Sequence, residues 1–285
     1  HISKHSNNLF QTVTANVPTL KLHDGHDIPA LALGTWLGNN TKPGANEVEH
    51  AVSWAIDAGY RHIDTAFAYR IEDQVGRAVA AKIAQGVKRE DLFITTKLNG
   101  TYDYTDYADT WRGMIEAKSL GLARSIGVSN FNQQQIDRLL ELGLEKPTVL
   151  QVEINLNLQQ PELLAYCARQ NIRVMGYTPF GSLFYNKAQK TAPPPRVDDP
   201  ALVEIANKYQ KTVPQIALRY LVELGVIPIP KSLTKFRIEQ NVQVFDFSLT
   251  QAERDVLKSF DRNYRTIPQY KWLDHPYYPF EKKNQ

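Results

Sequence analysis

Asp64, Tyr69 and Lys97 are the side chains of this sequence whose types and spacing best suit proton chemistry. In "RHIDTAFAY", His62 and Asp64 alternate onto one face of a short strand-like run. Asp64 stands at the C-terminal end of that run, and Tyr69 follows on the loop or first helical turn. In "FITTKL", Phe93, Thr95 and Lys97 share a face, with Lys97 at the end. An inward aspartate on one strand and an inward lysine on the next are close enough to pair. A buried pair of that kind is costly unless it serves a purpose. A tyrosine beside a lysine ammonium has its phenolate stabilised, which moves its pKa from about 10 toward the working range of a general acid. Taken singly, Asp64–Lys97 reads equally well as a salt bridge inside a barrel, and Tyr69 as a packed surface aromatic. Together the three make a specific triad.

Those residues need strands to hold them. "TLKLHDGHDIPALALG" predicts a small hairpin, turning at His23–His26, that leads into a strand. Strand-like runs follow at 60–66, 92–98, 125–131, 149–155, 173–179 and 226–232. Amphipathic helical stretches lie between them, several ending in Gly, the usual C-cap signal. Such alternation predicts parallel strands joined by crossover helices, in either a doubly wound sheet or a closed (β/α)8 TIM barrel. No G-x-G-x-x-G follows the first strand, and polar and ionisable residues collect at the C-terminal strand ends, where barrel active sites sit. Both observations favour the barrel. The interval from Pro179 to Val226 holds a Pro-rich loop, "KTAPPPRVDDP", long enough to cover a site. No linker or repeat divides the chain, which predicts a flexible extension over 1–16 and one domain over 17–285, with a C-terminal tail at 265–285.

The bulk properties narrow the function. Over 285 residues the net charge is +3, too mild to argue for nucleic acid, and the longest apolar runs are strand-sized, so no membrane span is expected. The single cysteine, Cys167, excludes an intramolecular disulfide and reads as core filler in "PELLAYCARQ". Seven scattered histidines form no ligand pair, so no metal site is predicted. "PKSLTKFR" sets Lys231, Ser232, Thr234 and Arg237 at a strand end and helix start, where backbone N–H groups favour an anion. An ordinary basic surface turn is the alternative reading of that stretch, and an anion site the favoured one.

"LGTW" (33–36), "YRHIDTAFAY" (60–69), "TTKL" (95–98), "SIGVSNF" (125–131) and "IPKSLTKFRIEQN" (229–241) together resemble the aldo-keto reductases, in family order and over nearly all of 17–280. The resemblance implies a (β/α)8 barrel and NADPH-dependent reduction of aldehydes or ketones. Carried over by position, Tyr69 donates the proton, Lys97 lowers its pKa, and Asp64 holds Lys97 in place. Thr35, Ser129, Asn130 and Gln151 match cofactor hydrogen-bonding positions, and Tyr177 matches the aromatic that stacks on the nicotinamide. Lys231, Ser232, Thr234 and Arg237 suit the 2′-phosphate of NADP. Gln240 and Asn241 close that motif, with Gln240 where the family often has a Glu, and Asn99 stands where many members have a pocket Trp. Trp36, Tyr270 and Trp272 are expected to wall an apolar carbonyl substrate. The wording is closest to insect members, which include ecdysteroid 3-keto reductases, some of them secreted. The family default is a cytoplasmic monomer.

One family segment has no counterpart. In the family, a helix, a fourth strand ending in His-Trp-Pro and a long loop follow the lysine, and that histidine is the fourth catalytic residue. Here "TKLN" runs straight into "GTYDYTDYADTW". One helix–strand unit after the third strand is missing, roughly 35–40 residues. His62 is expected to be a core residue one layer below Asp64, and His275 belongs to the tail, so neither replaces the lost histidine. Seven strands remain where eight are needed, which predicts a changed closure. A segment omitted from the chain, a shortened natural or spliced form, and an unusual barrel all fit. Loss of the histidine also leaves open a non-catalytic NADPH-binding protein on the same scaffold.

Overall fold

Strand alternation builds the frame. In β7 (Val149–Glu153), Leu150 and Val152 face the helices, while Val149 joins the interior cluster. The same period of two sends Ile63 outward and His62 and Asp64 inward on β4 (His62–Asp64). The computed structural model describes residues 14–38, 41–98 and 104–282. Its parallel strands are β3 (Leu33–Gly34), β4, β5 (Phe93–Thr95), β6 (Val128–Ser129), β7, β8 (Arg173–Tyr177) and β9 (Val226–Pro228). These are the seven expected strands, each shorter than its predicted run. The helices are α1 (Glu47–Ala58), α2 (Glu72–Ala84), α3 (Tyr107–Ser119), α4 (Gln133–Glu141), α5 (Pro161–Arg169), α6 (Pro200–Tyr209), α7 (Val213–Glu223), α8 (Lys235–Val242) and α9 (Gln251–Lys258).

Local chemistry starts and stops these helices. Asn132, Thr212 and Thr250 each form a reciprocal capping box, with Gln135, Gln215 and Glu253 respectively. Gly59 ends α1 at φ +110°, and a Cβ there would lie 2.1 Å from the Ala15 carbonyl oxygen. The Ala15 N–H in turn bonds to the Ala58 carbonyl at 3.0 Å. Of the extension expected over 1–16, residues 1–13 lie outside the described residues, and Ala15 is docked.

The hairpin closes one end. β1 (Thr19–Lys21) and β2 (Asp27–Pro29) pair antiparallel, with Lys21 opposite Asp27. Leu22 and Ile28 pack with Met175, Ile227 and Ile229 in the barrel interior. This layer forms the floor of the site above it.

The strand order is β3-β4-β5 in one sheet and β6-β7-β8-β9 in the other. The two join where Ala32 and Gly34 N–H groups bond to the Pro228 and Pro230 carbonyls, at 3.2 and 3.0 Å. On the far side, among the described residues, β5 pairs only with β4 and β6 only with β7. The molecule is therefore a (β/α)8 barrel lacking one unit, and the remaining strands leave a seam rather than closing in a new register. The helix-facing core divides accordingly. One cluster packs β3 and β4 against α1, α2 and α8, and another packs β6 to β9 against α3 to α7 and α9. A barrel needs mutually consistent strand number, tilt and shear, which explains why the seam stays at the lost strand.

Candidate active site

Asp64 lies at the C-terminal end of β4, its side chain only 4% exposed, and Lys97 reaches it from just beyond β5. The Lys97 Nζ donates to Asp64 Oδ1 at 2.8 Å and to the Thr65 carbonyl at 2.7 Å. Gln151, inward on β7, donates to the other Asp64 oxygen at 2.8 Å. Thr35 Oγ1 donates to the Asp64 backbone carbonyl at 2.8 Å, which ties the end of β3 to that of β4. Burial pushes the Asp64 carboxyl above its ordinary value, while the Lys97 charge and the bonds from Lys97 and Gln151 act the other way.

Tyr69 ends a short 3-10 turn, Phe67–Tyr69, after β4. The Lys97 Nζ sits 5.1 Å from the Tyr69 ring centroid, so the two are neighbours. The ammonium is directed at Asp64 and Thr65, however, and burial holds the Tyr69 phenol above its ordinary value, with the Asp64 charge adding to that rise. The expected lowering of the Tyr69 pKa is therefore corrected. A lysine neutralised by a buried carboxylate presents a dipole rather than a net positive charge, and desolvation dominates.

Around this triad the strand ends are bonded to one another. Ser129 Oγ donates to the Gln151 carbonyl at 3.1 Å, and Tyr177 OH donates to Asn130 Oδ1 at 2.8 Å. Asn130 has φ +56°, a conformation that Asn tolerates better than most residues. Gly127 is needed nearby, since a Cβ there would stand 2.6 Å from the Val149 carbonyl oxygen. The network thus runs from Lys97 through Asp64 and Gln151 to β6, with the Tyr177–Asn130 bond linking β8 and β6.

The basic motif leaves β9 and enters α8. Ser232 is buried and its Oγ accepts from the Thr234 N–H at 3.0 Å. Thr234 is the N-cap of α8 but makes no side-chain cap bond, so the first-turn N–H groups have no side-chain partner there. Lys231 and Arg237 are exposed, and among the described residues neither has an ion-pair partner. Partial desolvation and the charge of Lys187 hold the Lys231 ammonium below its usual value, with Glu47 opposing. Gln240 is half-buried and Asn241 buried, both lining the same cavity. Uncapped N–H groups beside two unpaired cations fit a phosphate.

Asp64, Tyr69, Lys97, Gln151, the β6 and β8 strand ends and the basic motif border one cavity of about 3190 Å³. It extends from Ile28 in the hairpin to Tyr270 and Trp272 in the tail because residues on both sides of the seam line it, among them Ile94 and Gly127. Trp36 and Tyr69 also share a side pocket of about 230 Å³. Phe180, Phe184 and Lys187, which precede the Pro-rich loop, line the main cavity, and of that loop itself Val197 does. Tyr270 is exposed and Trp272 half-buried on a 3-10 turn, Tyr270–Trp272.

The histidines fall where expected. His62 is fully buried, its Nε2 2.8 Å from Thr95 Oγ1, and burial pushes its pKa down to about 3. His275 is in the tail, stacked on Tyr104 at 5.8 Å and accepting from the Tyr277 N–H at 3.1 Å. Asn99 lies outside the described residues. Cys167 is buried, and burial pushes its thiol up to about 12. Among the described residues no cluster could hold a metal ion, and no helix is long and apolar enough to cross a membrane. Sequence reasoning overlooked Lys187 and Glu153, although Glu153 shares the inward face of β7 with Gln151.

Comparison with known proteins agrees with this geometry. The aldo/keto reductase family model matches residues 30–105 and 101–262, breaking where the seam begins. Aldo-keto reductase AKR2E4 of Bombyx mori is 44% identical over 308 positions, covering 94% of this chain and all of that protein. Since 94% of 285 residues is about 268, some 40 of those positions have no counterpart here. A mouse relative, aldo-keto reductase family 1 member C13 of Mus musculus, is 36% identical over 92% of this chain and 97% of its own. The crystal structure of the Bombyx mori AKR2E4 complex with NADP superposes with a TM-score of 0.89, covering 93% of this chain and 99% of that one. Aldo-keto reductase AKR2E5 complexed with NADPH gives 0.90 at 39% identity, covering 95% and 96%. The chain belongs to the aldo/keto reductase family.

Proposed function

We propose that this protein reduces aldehydes or ketones to alcohols with NADPH, using Tyr69 as the proton donor. The observation that carries the reading is the Lys97–Asp64–Gln151 arrangement beside Tyr69, at the strand ends of a cavity large enough for cofactor and substrate together. The cofactors named in the structures of the two similar proteins support the choice of NADPH. Lys231, Arg237, Ser232 and the α8 N-terminus would hold its phosphate. Ser129, Asn130, Gln151 and Tyr177 would hold its nicotinamide end, and Gln240 and Asn241 the adenine end. When bound, the cofactor supplies a hydride to the carbonyl carbon.

The protein's own part is proton delivery and exclusion of water. The phenol of Tyr69, protonated at neutral pH, gives its proton to the carbonyl oxygen as charge develops there. The paired Lys97 and Asp64 side chains, with the Lys97 Nζ 5.1 Å from the ring centroid, hold the phenol in place as it gives up that proton. Water then restores the proton. Trp36, Tyr270 and Trp272 favour a hydrophobic aldehyde or a steroid-like ketone.

A second reading, an NADPH-binding protein with little turnover, is favoured by the open seam and by the raised Tyr69 phenol. One assay separates the two. The enzyme consumes NADPH when given an aromatic aldehyde, and Tyr69→Phe lowers turnover by about a hundredfold or more while NADPH still quenches tryptophan fluorescence. Quenching without consumption by the unmodified protein would establish the second reading.

A further inference from the structure

We propose that Glu153 is a positioning residue that clamps the C-terminal tail and thereby sets the wall against which the substrate lies; this rests on the carbonyl reductase reading above. Glu153 is the last residue of β7 and is fully buried. Its Oε1 accepts from the Thr266 N–H at 2.7 Å and from Asn155 Nδ2 at 3.0 Å. Its Oε2 accepts from the Ile267 N–H at 2.9 Å. Among the described residues no cation pairs with it. A buried carboxylate is costly without partners, and here two of its three donors are consecutive backbone groups of the tail.

The place of those two residues gives the clamp its consequence. After α9 the tail is held first at Asn157, whose carbonyl accepts from the Arg262 and Tyr264 N–H groups at 3.1 and 3.0 Å. Glu153 is the next anchor along the chain. Beyond it the tail passes through Pro268 and Gln269 to the turn that carries Tyr270 and Trp272, both on the cavity wall. After that turn Gln135 and Asn132 bond to the Tyr277 and Pro279 carbonyls, and the Tyr278 hydroxyl reaches back to the Pro268 carbonyl at 2.5 Å. Glu153 also stands in register with Tyr177 of β8. This side chain therefore ties the segment that enters the substrate wall to the strand end proposed to hold the nicotinamide.

The test is Glu153→Gln in the full chain. The amide can accept one tail N–H but presents a donor to the other, so one buried N–H is left facing a donor. Amide exchange over 264–273 should rise about tenfold to a hundredfold, while α1 and α7 keep their protection. The KM for a bulky aromatic ketone should rise about tenfold, with NADPH affinity retained and kcat changed less. Ile267→Pro removes one donor from the tail side, outside the barrel core, and should reproduce both effects even if Glu153→Gln does not fold. Tail exchange at the unmodified level in a folded variant would overturn the proposal. So would NADPH affinity that falls in parallel with the KM change. The exchange measurement needs no turnover, so a protein lacking activity would defeat the carbonyl reductase reading and leave the clamp to be judged by exchange alone.

Discussion

Replacing Lys97 by Met tests the electrostatics of the site most directly. The substitution keeps much of the aliphatic volume and removes the ammonium that lies 2.8 Å from a carboxylate side chain only 4% exposed. Removing one partner of a buried pair costs about 3–5 kcal/mol. Lys97 is itself 20% exposed, so solvent already screens part of the interaction, and about 3 kcal/mol is the reasonable figure near pH 8. For 285 residues the unfolding entropy is about 0.6 kcal/mol per kelvin, so Tm should fall by about 5 °C.

The loss should depend on pH with a definite sign. Burial already raises Asp64 above its unfolded value of 3.8, and Lys97 is the leading influence that lowers it. Without Lys97 the folded-state value rises further, so the folded variant holds a proton over a wider range than the unfolded chain. Stability relative to the parent then falls as pH rises from about 3.8 through the folded value. Toward pH 4.5 the folded variant takes up the carboxyl proton more readily than the unfolded chain does, so the loss should shrink. Circular-dichroism melts of both proteins at the two pH values decide the matter. Equal Tm losses at both, or a greater loss in acid, would refute the view that the unpaired Asp64 charge is the source.

Three further outcomes follow from the same geometry. Lys231→Ala and Arg237→Ala should each weaken NADPH binding about tenfold to a hundredfold and NADH binding much less, as titration of tryptophan fluorescence would show; equal effects on the two cofactors would remove the phosphate assignment. His62, its pKa pushed down to about 3 by burial, should show ring NMR signals that stay fixed between about pH 5 and 8, and the stability it contributes as a neutral group should be lost as pH falls from about 6.5 toward 3; a midpoint near 6.5 would mean the ring is not sealed in the core. Phe93, Thr95 and Lys97 bond to β4, so alternation turns Ile94 and Thr96 toward the seam, as it does Gly127 and Ser129 on β6. Their amides should exchange at least about a hundredfold faster than those of Thr95 and Val128, and equal protection would show the seam to be covered.

Much of the frame was legible before folding because it is written in short-range chemistry. Short β-rich runs between amphipathic helical stretches located all seven strands, and Gly25 with its neighbours marked the hairpin turn. Thr250 and Glu253 announced α9 through a capping box that the sequence reading passed over. The sequence also placed Asp64, Lys97 and the basic motif at strand ends, the family resemblance pointed to Gln151, and the missing unit was located after Lys97. Tertiary structure alone decided what those groups do to one another. Lys97 is engaged by Asp64 and Thr65, so burial rather than a neighbouring charge governs Tyr69. The fate of the lost strand was likewise hidden, since seven strands can close or gape and only their joint tilt and register settle which. The Glu153 clamp joins residues 113 and 114 positions apart, a contact that no local pattern records. Spacing along a chain specifies which face a side chain occupies, whereas pKa, closure and long-range hydrogen bonds depend on what the rest of the fold brings to that face.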